Sequence, residues 1–183
     1  KFFDSVSHAL LLNLIFQTIV DNDAQWLIKS IEQSFHKESG TGLPLGNVTS
    51  QLFANMYLHE LDQFMKHSMR VGSYVRYCDD FIIVNRDPVY LNACIVRIQE
   101  FLKSYLNLEL HERKIIIRKY SQGIDFLGYV LRPRCSILRT KTRRRMLQRV
   151  CFKNAPSYFG VLEHCNGFKL KKQLLTILND QLY

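Results

Sequence analysis

Two adjacent carboxylates, Asp79 and Asp80, lie between two apolar, β-prone segments at residues 74–78 and 81–84. This pattern predicts a strand pair with both acids on its tight turn. Because like charges a few ångströms apart raise each other's pKa unless a cation neutralises them, the pair favours a divalent metal ion. Hard oxygen ligands suit Mg²⁺, which commonly completes its shell with water and substrate phosphates, as in nucleotidyl transfer. A solvated turn is the alternative interpretation, since Asp is common in turns of any protein.

Apolar spacing predicts the elements that position this pair. A Gly- and Pro-rich segment at residues 42–47 is expected to be irregular, and Thr49 or Ser50 can cap the helix that follows it. The predicted order of helices, acid-bearing strand pair, helix and further strands indicates an α+β fold, with helices packed on one face of an antiparallel sheet and the other face open to a ligand. A first helix is predicted to start after a cap at Asp4, Ser5 or Ser7 and to run to about residue 20. Further helices are predicted over residues 24–35, 49–65 and 90–106, and short strands over residues 108–114, 115–119 and 122–131.

Composition narrows the class of partner. The chain of 183 residues carries a net charge of +9, which favours a polyanion such as nucleic acid over a membrane surface. Its longest apolar runs are far too short to span a bilayer. Five cysteines without close pairing favour a reducing cytoplasm over a disulfide framework or a zinc site. Positive charge concentrates after Arg132, where we expect short helices and a domain boundary near residues 132–138.

The segment Tyr77-Cys78-Asp79-Asp80 resembles the Tyr-x-Asp-Asp signature of reverse transcriptases. Residues 42–51, 54–58 and 126–129 are similar to further blocks of that family, in the same order. The resemblance extends from residue 2 to about residue 170 and is greatest to the bacterial branch. It implies a cytoplasmic, bacterial or phage-encoded RNA-directed DNA polymerase with a right-hand palm, a small helical thumb and most of the fingers missing. Residues 1–133 would form the partial fingers and palm, and residues 134–183 the thumb.

The resemblance also implies the reaction and its partners. Asp79 and Asp80 would hold two Mg²⁺ ions, or Mn²⁺ in their place, while dNTPs extend a DNA or cDNA primer on an RNA template. Lys114 stands where the family often has a lysine proposed to protonate the leaving pyrophosphate. A solvated lysine at a strand edge is an equally good interpretation of that residue.

Three further groups of residues acquire roles from the same resemblance. Core packing remains an alternative for Phe3, helix capping for Ser50, and a solvated helix face for the basic run. The nucleotide-binding group is Phe3, Pro44, Leu45, Gly46, Ser50, Gln51 and Asn55; the primer-grip group is Phe126, Leu127 and Gly128; the nucleic-acid-binding group is Arg76, Arg139, Lys141, Arg143, Arg144, Arg145 and Arg149.

Two departures from the family pattern carry expectations of their own. The family's first metal-binding aspartate would precede Lys1, and Asp4 is in the wrong register to replace it. We therefore expect this chain by itself to be inactive and its parent protein to be active. The second departure is Leu45-Gly46 followed by Ser50-Gln51, which resembles the diversity-generating retroelement branch rather than the Gln-Gly and Ser-Pro of group II intron enzymes.

Replacing a glutamine amide by the Leu45 side chain removes hydrogen bonds that could position nucleotide and template, so an error-prone enzyme is expected. A small basic accessory protein is a partner that this branch implies. The alternatives are another bacterial reverse transcriptase, of retron, group II intron or phage-defence type, and a non-catalytic nucleic-acid-binding module. Retention of two costly carboxylates argues against the module.

Overall fold

The computed structural model describes residues 2–34, 40–44 and 46–181. It divides the chain into two compact units, Lys1–Ile116 (unit 1) and Ile117–Tyr183 (unit 2). Both contain helices and a small antiparallel sheet, which confirms the mixed α and β composition expected from the sequence. Among the described residues, no helix is both long and apolar enough to cross a membrane.

Unit 1 begins with three helices, α1 (Phe2–Ser5), α2 (His8–Phe16) and α3 (Asn22–Gln33). The Ser7 side chain caps α2, and Asp21 caps α3 by accepting a 2.7 Å hydrogen bond from the Ala24 amide. The sequence predicts that the first long helix runs to about residue 20, but α2 ends at Phe16, four residues earlier.

The long helix α4 (Val48–Gln63) continues into a π-helical turn at Phe64–Ser68. Asn47 is its N-cap residue, so the prediction of a cap at Thr49 or Ser50 was wrong. An apolar stripe packs this helix and its π-helical turn into the core of unit 1, whereas Leu52, which the spacing also places on that stripe, is exposed. Its buried members are Phe53, Tyr57, Leu61 and Met65.

A two-stranded hairpin follows α4. Strands β1 (Tyr74–Tyr77) and β2 (Asp80–Ile83) pair antiparallel, with Tyr77 opposite Asp80. Side chains alternate across the sheet. Tyr74, Phe81 and Ile83 pack against the core, whereas Val75 and Tyr77 are exposed. One face of the hairpin is thus covered and the other is open, as the sequence predicts.

Helix α5 (Pro88–Leu106) starts at a proline that follows the Asp87 cap, and ends where the sequence predicts. The two strands predicted over residues 108–119 were wrong. This segment contains a single 3₁₀ turn at Glu112–Lys114, whose amides bond locally. Alternating apolar and charged residues form a strand only where a neighbouring strand offers its edge, and here none of the described strands does.

Unit 2 combines a three-stranded antiparallel sheet with three helices packed on one another. The expected β segment at 122–131 is a hairpin, and β5 was not predicted. The compact division after residue 116 places this hairpin with the C-terminal helices, while the functional boundary near residue 133 stays a prediction. The elements are β3 (Ile124–Phe126), β4 (Tyr129–Arg132), β5 (Cys135–Leu138), α6 (Thr140–Arg149), α7 (Ala155–Glu163) and α8 (Phe168–Asp180).

Candidate active site

The tip of the first hairpin carries both acids. Cys78 and Asp79 form the two-residue turn, and Asp80 is the first residue of β2. Cys78 adopts a left-handed backbone, with φ of 52°. Both carboxylates are exposed, and neither makes a hydrogen bond or ion pair with any residue that the structure describes. The tip therefore presents two unpaired anions to solvent.

This donor set fits a hard divalent cation. The two carboxylates, which no arginine or lysine of the described residues neutralises, supply oxygen ligands. Mg²⁺ takes only one or two carboxylates before it completes its shell with water and phosphate. Across the described part of the chain, the tip included, no group of three or more His, Cys, Asp or Glu side chains converges, so the two tip carboxylates would supply only part of a metal ion's shell. Asp79 and Asp80 are residues that could hold a divalent metal ion, which would take its remaining ligands from water and phosphate.

Arg76, three residues before the acids, lies on the covered face of the hairpin. Its side chain is only 10% exposed and donates to Asp62, Asn55 and the carbonyl oxygen of Cys78. The nucleic-acid contact expected of Arg76 stays a prediction. Its guanidinium already faces acceptors within the protein, which favours an internal role.

The polar residues predicted at the start of α4 divide into two classes. Gln51 and Asn55 are exposed, and the side-chain oxygen of Asn55 accepts a 3.2 Å hydrogen bond from Arg76, which leaves its amide nitrogen to donate outward. Ser50 is buried, and its hydroxyl has no partner among the described residues. Ser50 thus faces the core. It is not exposed as Gln51 and Asn55 are, and it does not cap helix α4.

The loop at residues 40–44 is bound to the N-terminal helices by its backbone. Gly42 donates to the Val6 carbonyl at 2.9 Å, and Leu43 donates to the Phe3 carbonyl at 2.7 Å. The Phe3 ring is half-buried, contacts the Phe2 ring edge-on at 5.2 Å and packs on the core. Core packing, the alternative left open for Phe3, is therefore an observed role, and contact with the sugar stays a prediction.

The rest of this loop carries three of the predicted nucleotide contacts. Pro44 is half-buried and Gly46 is exposed, whereas Leu45 lies outside the described residues. Gly46 has φ of 98°, and no atom of the residues that the structure describes lies within 4 Å of the position that a β-carbon would take. The glycine thus meets a backbone requirement, since L-residues rarely adopt this conformation.

His8 and Glu32 form a buried pair that the sequence did not reveal. His8 Nε2 lies 2.6 Å from the Gly42 carbonyl oxygen, and Nδ1 contacts the Glu32 carboxylate. The pair joins α2 and α3 to the 40–44 loop. Its signal in the sequence is weak: Glu32 lies four residues after Ile28, on the apolar face of α3.

Lys114 lies in the 3₁₀ turn, not on a strand edge. Its side chain is exposed and makes no hydrogen bond or ion pair with the described residues. The role as a proton donor stays a prediction.

The second hairpin, in unit 2, carries the predicted primer grip. Leu127 and Gly128 form its turn with φ of 52° and 87°, the positive values that type I′ turns require. Leu127 is 45% exposed and Phe126 is half-buried. The Arg139 amide donates to the Gly128 carbonyl at 3.0 Å, and the Arg139 guanidinium pairs with Asp125.

Helix α6 presents the predicted basic surface. Its apolar side packs through Met146, which is buried with Leu174 and Leu178 in the core of unit 2. The cationic side is exposed, and its side chains make no hydrogen bond, ion pair or ring contact with the described residues, so these charges are available to an anionic ligand. These cations are Lys141, Arg143, Arg144, Arg145 and Arg149.

Comparison with known proteins identifies the family. Residues 1–131 match the family model described as reverse transcriptase (RNA-dependent DNA polymerase). The group II intron-encoded protein LtrA of Lactococcus lactis is 26% identical over 202 aligned residues, which cover 73% of this chain and 34% of LtrA. Protein YkfC of Escherichia coli is 26% identical over 169 residues, covering 72% of this chain and 44% of YkfC.

A eukaryotic relative extends the comparison. The putative COX1/OXI3 intron 2 protein of Saccharomyces cerevisiae is 20% identical over 191 residues, covering 70% of this chain and 22% of the relative. The chain thus spans less than half the length of each of these three relatives. Since the family model matches more than half of the chain and includes the acid-tipped hairpin, the chain belongs to the reverse transcriptase family.

Proposed function

We propose that the protein is an RNA-directed DNA polymerase in which Asp79 and Asp80 hold the catalytic metal ions. One observation carries this proposal: in a chain of the reverse transcriptase family, both carboxylates stand exposed and unpaired at a hairpin tip. Bound Mg²⁺ supplies Lewis-acid stabilisation of the charge that develops on the reacting phosphate and on the attacking and leaving oxygens.

The other described residues bind and orient the substrates. Gln51 and Asn55, exposed on the first turns of α4, contact the incoming dNTP, and Lys114 donates a proton to pyrophosphate. The 126–128 hairpin seats the primer end, and the cations of α6 bind backbone phosphates of the template–primer duplex without reading sequence. In this proposal residues 1–133 form the palm with partial fingers, and residues 134–183 form the thumb.

Primer extension tests the proposal. Protein expressed from its complete reading frame is given an RNA template, a DNA primer, dNTPs and Mg²⁺. Asp79→Asn or Asp80→Asn is expected to lower the extension rate at least about 100-fold, because a lost metal ligand removes several kcal/mol of transition-state stabilisation. Affinity for the template–primer should be kept.

Asp23→Asn is the matched control, since Asp23 is an exposed carboxylate on α3. Its extension rate should equal that of the wild type. Extension that is unaffected by both hairpin substitutions contradicts the proposal, and so does a wild-type protein that binds the duplex without extending the primer.

We assign the enzyme to the error-prone, diversity-generating branch because of Leu45-Gly46 and Ser50-Gln51. If the leucine causes misincorporation, Leu45→Gln should lower the error frequency in sequenced cDNA. An unchanged error frequency contradicts this assignment.

An intron-encoded maturation or mobility enzyme is the second candidate, favoured by the names of LtrA and the COX1/OXI3 intron 2 protein. The two candidates differ in the RNA beside the gene: a template and variable repeat pair supports the first, and a structured intron supports the second.

A further inference from the structure

We propose that Arg76 and Asp62 form a positioning pair, which fixes the acid-bearing turn of the first hairpin and couples it to Asn55 on α4. This inference rests on the proposed function, because it assigns a role toward the same Asp79–Asp80 tip. Arg76 and Asp62 are positioning residues: they act through the turn and not on the substrate.

The pair is bidentate. Arg76 Nε donates to Asp62 Oδ1 at 2.9 Å and Nη2 donates to Oδ2 at 2.5 Å. The planar guanidinium fork matches the two carboxylate oxygens, which makes such pairs directional as well as strong. Asp62 lies near the C-terminal end of α4 and Arg76 in β1, so the pair locks the hairpin to this helix at a defined angle.

The third guanidinium nitrogen reaches the turn. Arg76 Nη1 donates to the Cys78 carbonyl oxygen at 2.9 Å and to Asn55 Oδ1 at 3.2 Å. The left-handed backbone at Cys78 is unfavourable for a residue with a β-carbon, and the hydrogen bond to its carbonyl offsets part of that cost. Asp79 follows directly, so the direction of its side chain depends on this contact.

Charge explains why the carboxylate of Asp62 is needed. Burial alone would raise the pKa of Asp62, but hydrogen bonds from Arg76 and Tyr74 outweigh it and hold that pKa below its usual value. The bond to Asp62 in turn raises the pKa of Arg76. Each charge is thus satisfied by the other on the covered face of the hairpin.

This pairing keeps Arg76 from neutralising the tip. The residue is only three positions before Asp79, and an unpaired guanidinium there would be attracted to the two tip carboxylates and compete with a metal ion. Asp62 therefore does two things: it orients the arginine toward the Cys78 carbonyl, and it keeps the guanidinium from pairing with Asp79 and Asp80.

The first test is Arg76→Lys. This change keeps the positive charge, but a single ammonium cannot bond to Asp62, Asn55 and the Cys78 carbonyl at the same time as the guanidinium does. We expect kcat for nucleotide incorporation to fall on the order of 100-fold through misplacement of the tip. The KM for dNTP should rise because Asn55 loses the donor that orients its amide. Hydrogen exchange at the amides of residues 78–80 should accelerate.

Arg86→Lys is the matched control. Arg86 follows β2, is exposed, and its side chain makes no hydrogen bond, ion pair or ring contact with the described residues. We expect its kcat, KM and hydrogen exchange to equal those of the wild type.

A double variant separates positioning from stability. Arg76→Met with Asp62→Leu removes both charges together, and apolar replacement of a buried pair commonly preserves or increases stability. We expect a melting temperature close to that of the wild type with kcat still reduced on the order of 100-fold. Wild-type kcat in this folded double variant would overturn the proposal.

The exchange measurement keeps this inference separate from the proposed function. If the wild-type protein does not extend a primer, the proposed function fails, but hydrogen exchange still reports on the turn. Unchanged exchange at residues 78–80 in Arg76→Lys overturns the positioning role whether or not the protein polymerises. Faster exchange confined to these residues supports it.

Discussion

The turns of the two hairpins begin with the same left-handed backbone but carry different chemistry at their tips. Each turn begins with a non-glycine residue at φ of 52°, Cys78 in unit 1 and Leu127 in unit 2. In each turn a carbonyl accepts a hydrogen bond from an arginine: Cys78 from the side chain of Arg76, and Gly128 from the backbone of Arg139.

The difference lies in where the partner carboxylate comes from. Arg76 is neutralised by Asp62 of a helix behind the hairpin, whereas Arg139 is neutralised by Asp125 of the second hairpin's own strand. The acids at the first tip therefore stay unpaired, and the second tip, with Leu127, is uncharged. At the first tip, the pairing of Arg76 with Asp62 leaves both acids available to a cation.

The two hairpins should differ most in how much the ion pair of each contributes to the free energy of unfolding. Asp62→Asn should lower the free energy of unfolding by about 2–3 kcal/mol, because it leaves the largely buried Arg76 charge without its partner. Asp125→Asn should lower it by less than about 1 kcal/mol, since that pair is half-exposed. Urea denaturation, monitored by circular dichroism, measures the loss of unfolding free energy in each variant. Equal losses would contradict the expected difference between the buried and the half-exposed ion pair.

The next prediction concerns the basic surface that accompanies the second hairpin. Arg144→Ala with Arg145→Ala should make the slope of log affinity against log salt for an RNA–DNA duplex shallower by about 2, through two lost phosphate contacts. Arg86→Ala with Lys103→Ala, two exposed cations of unit 1, is the control of equal charge. Filter binding at 50–200 mM salt measures the slope, and equal slopes for both variants would contradict the assignment of duplex binding to α6.

A smaller effect is expected at the second turn. Gly128→Ala should destabilise the protein by about 1 kcal/mol, because an L-residue at φ of 87° is strained even though no atom of the described part of the chain lies within 4 Å of the added carbon. Gly160→Ala, equally uncrowded but in helix α7, should stabilise it by about 0.5–1 kcal/mol. Opposite shifts in melting temperature check both, and a neutral Gly128→Ala would show that this turn needs no glycine.

The finest test of the comparison is pH dependence. Because its folded-state pKa is lowered, ionised Asp62 contributes stability above its unfolded pKa of about 4, and this contribution is lost as the pH falls through the folded value. The difference in unfolding free energy between the wild type and Asp62→Asn should therefore narrow from pH 6 to pH 3. A difference that stays constant over this range would mean that Asp62 is not stabilised as an anion by Arg76.

Local signals predicted the elements nearest the acids. Two β-prone runs flanking a short polar turn identified the hairpin at residues 74–83, and Pro88 after a capping aspartate marked the start of α5. These features depend on neighbours within a few residues of one another, so the sequence shows them directly.

Strand assignments failed where pairing decides the structure. Residues 108–119 alternate like a strand but have no described partner, whereas β5 becomes a strand because β4 pairs with it. A strand is stabilised by its neighbour's hydrogen bonds, and a propensity pattern does not indicate whether that neighbour exists.

The candidate site shows the same division. The sequence was sufficient to single out Asp79, Asp80 and the basic run of α6 as candidate site residues. The burial of Ser50, the pairing of His8 with Glu32 and the inward orientation of Arg76 could not be, since each depends on residues brought together from different elements.

By itself, the amino-acid sequence determined which groups the protein has for chemistry: two neighbouring acids on a short turn, a surplus of positive charge and the motifs of a reverse transcriptase. Only the tertiary structure decided which of these groups are free to act. Arg76 pairs with Asp62, 14 residues away in the chain, and not with the acids three residues away. The fold places that carboxylate within reach of the guanidinium, and the pair is strong because little water reaches it.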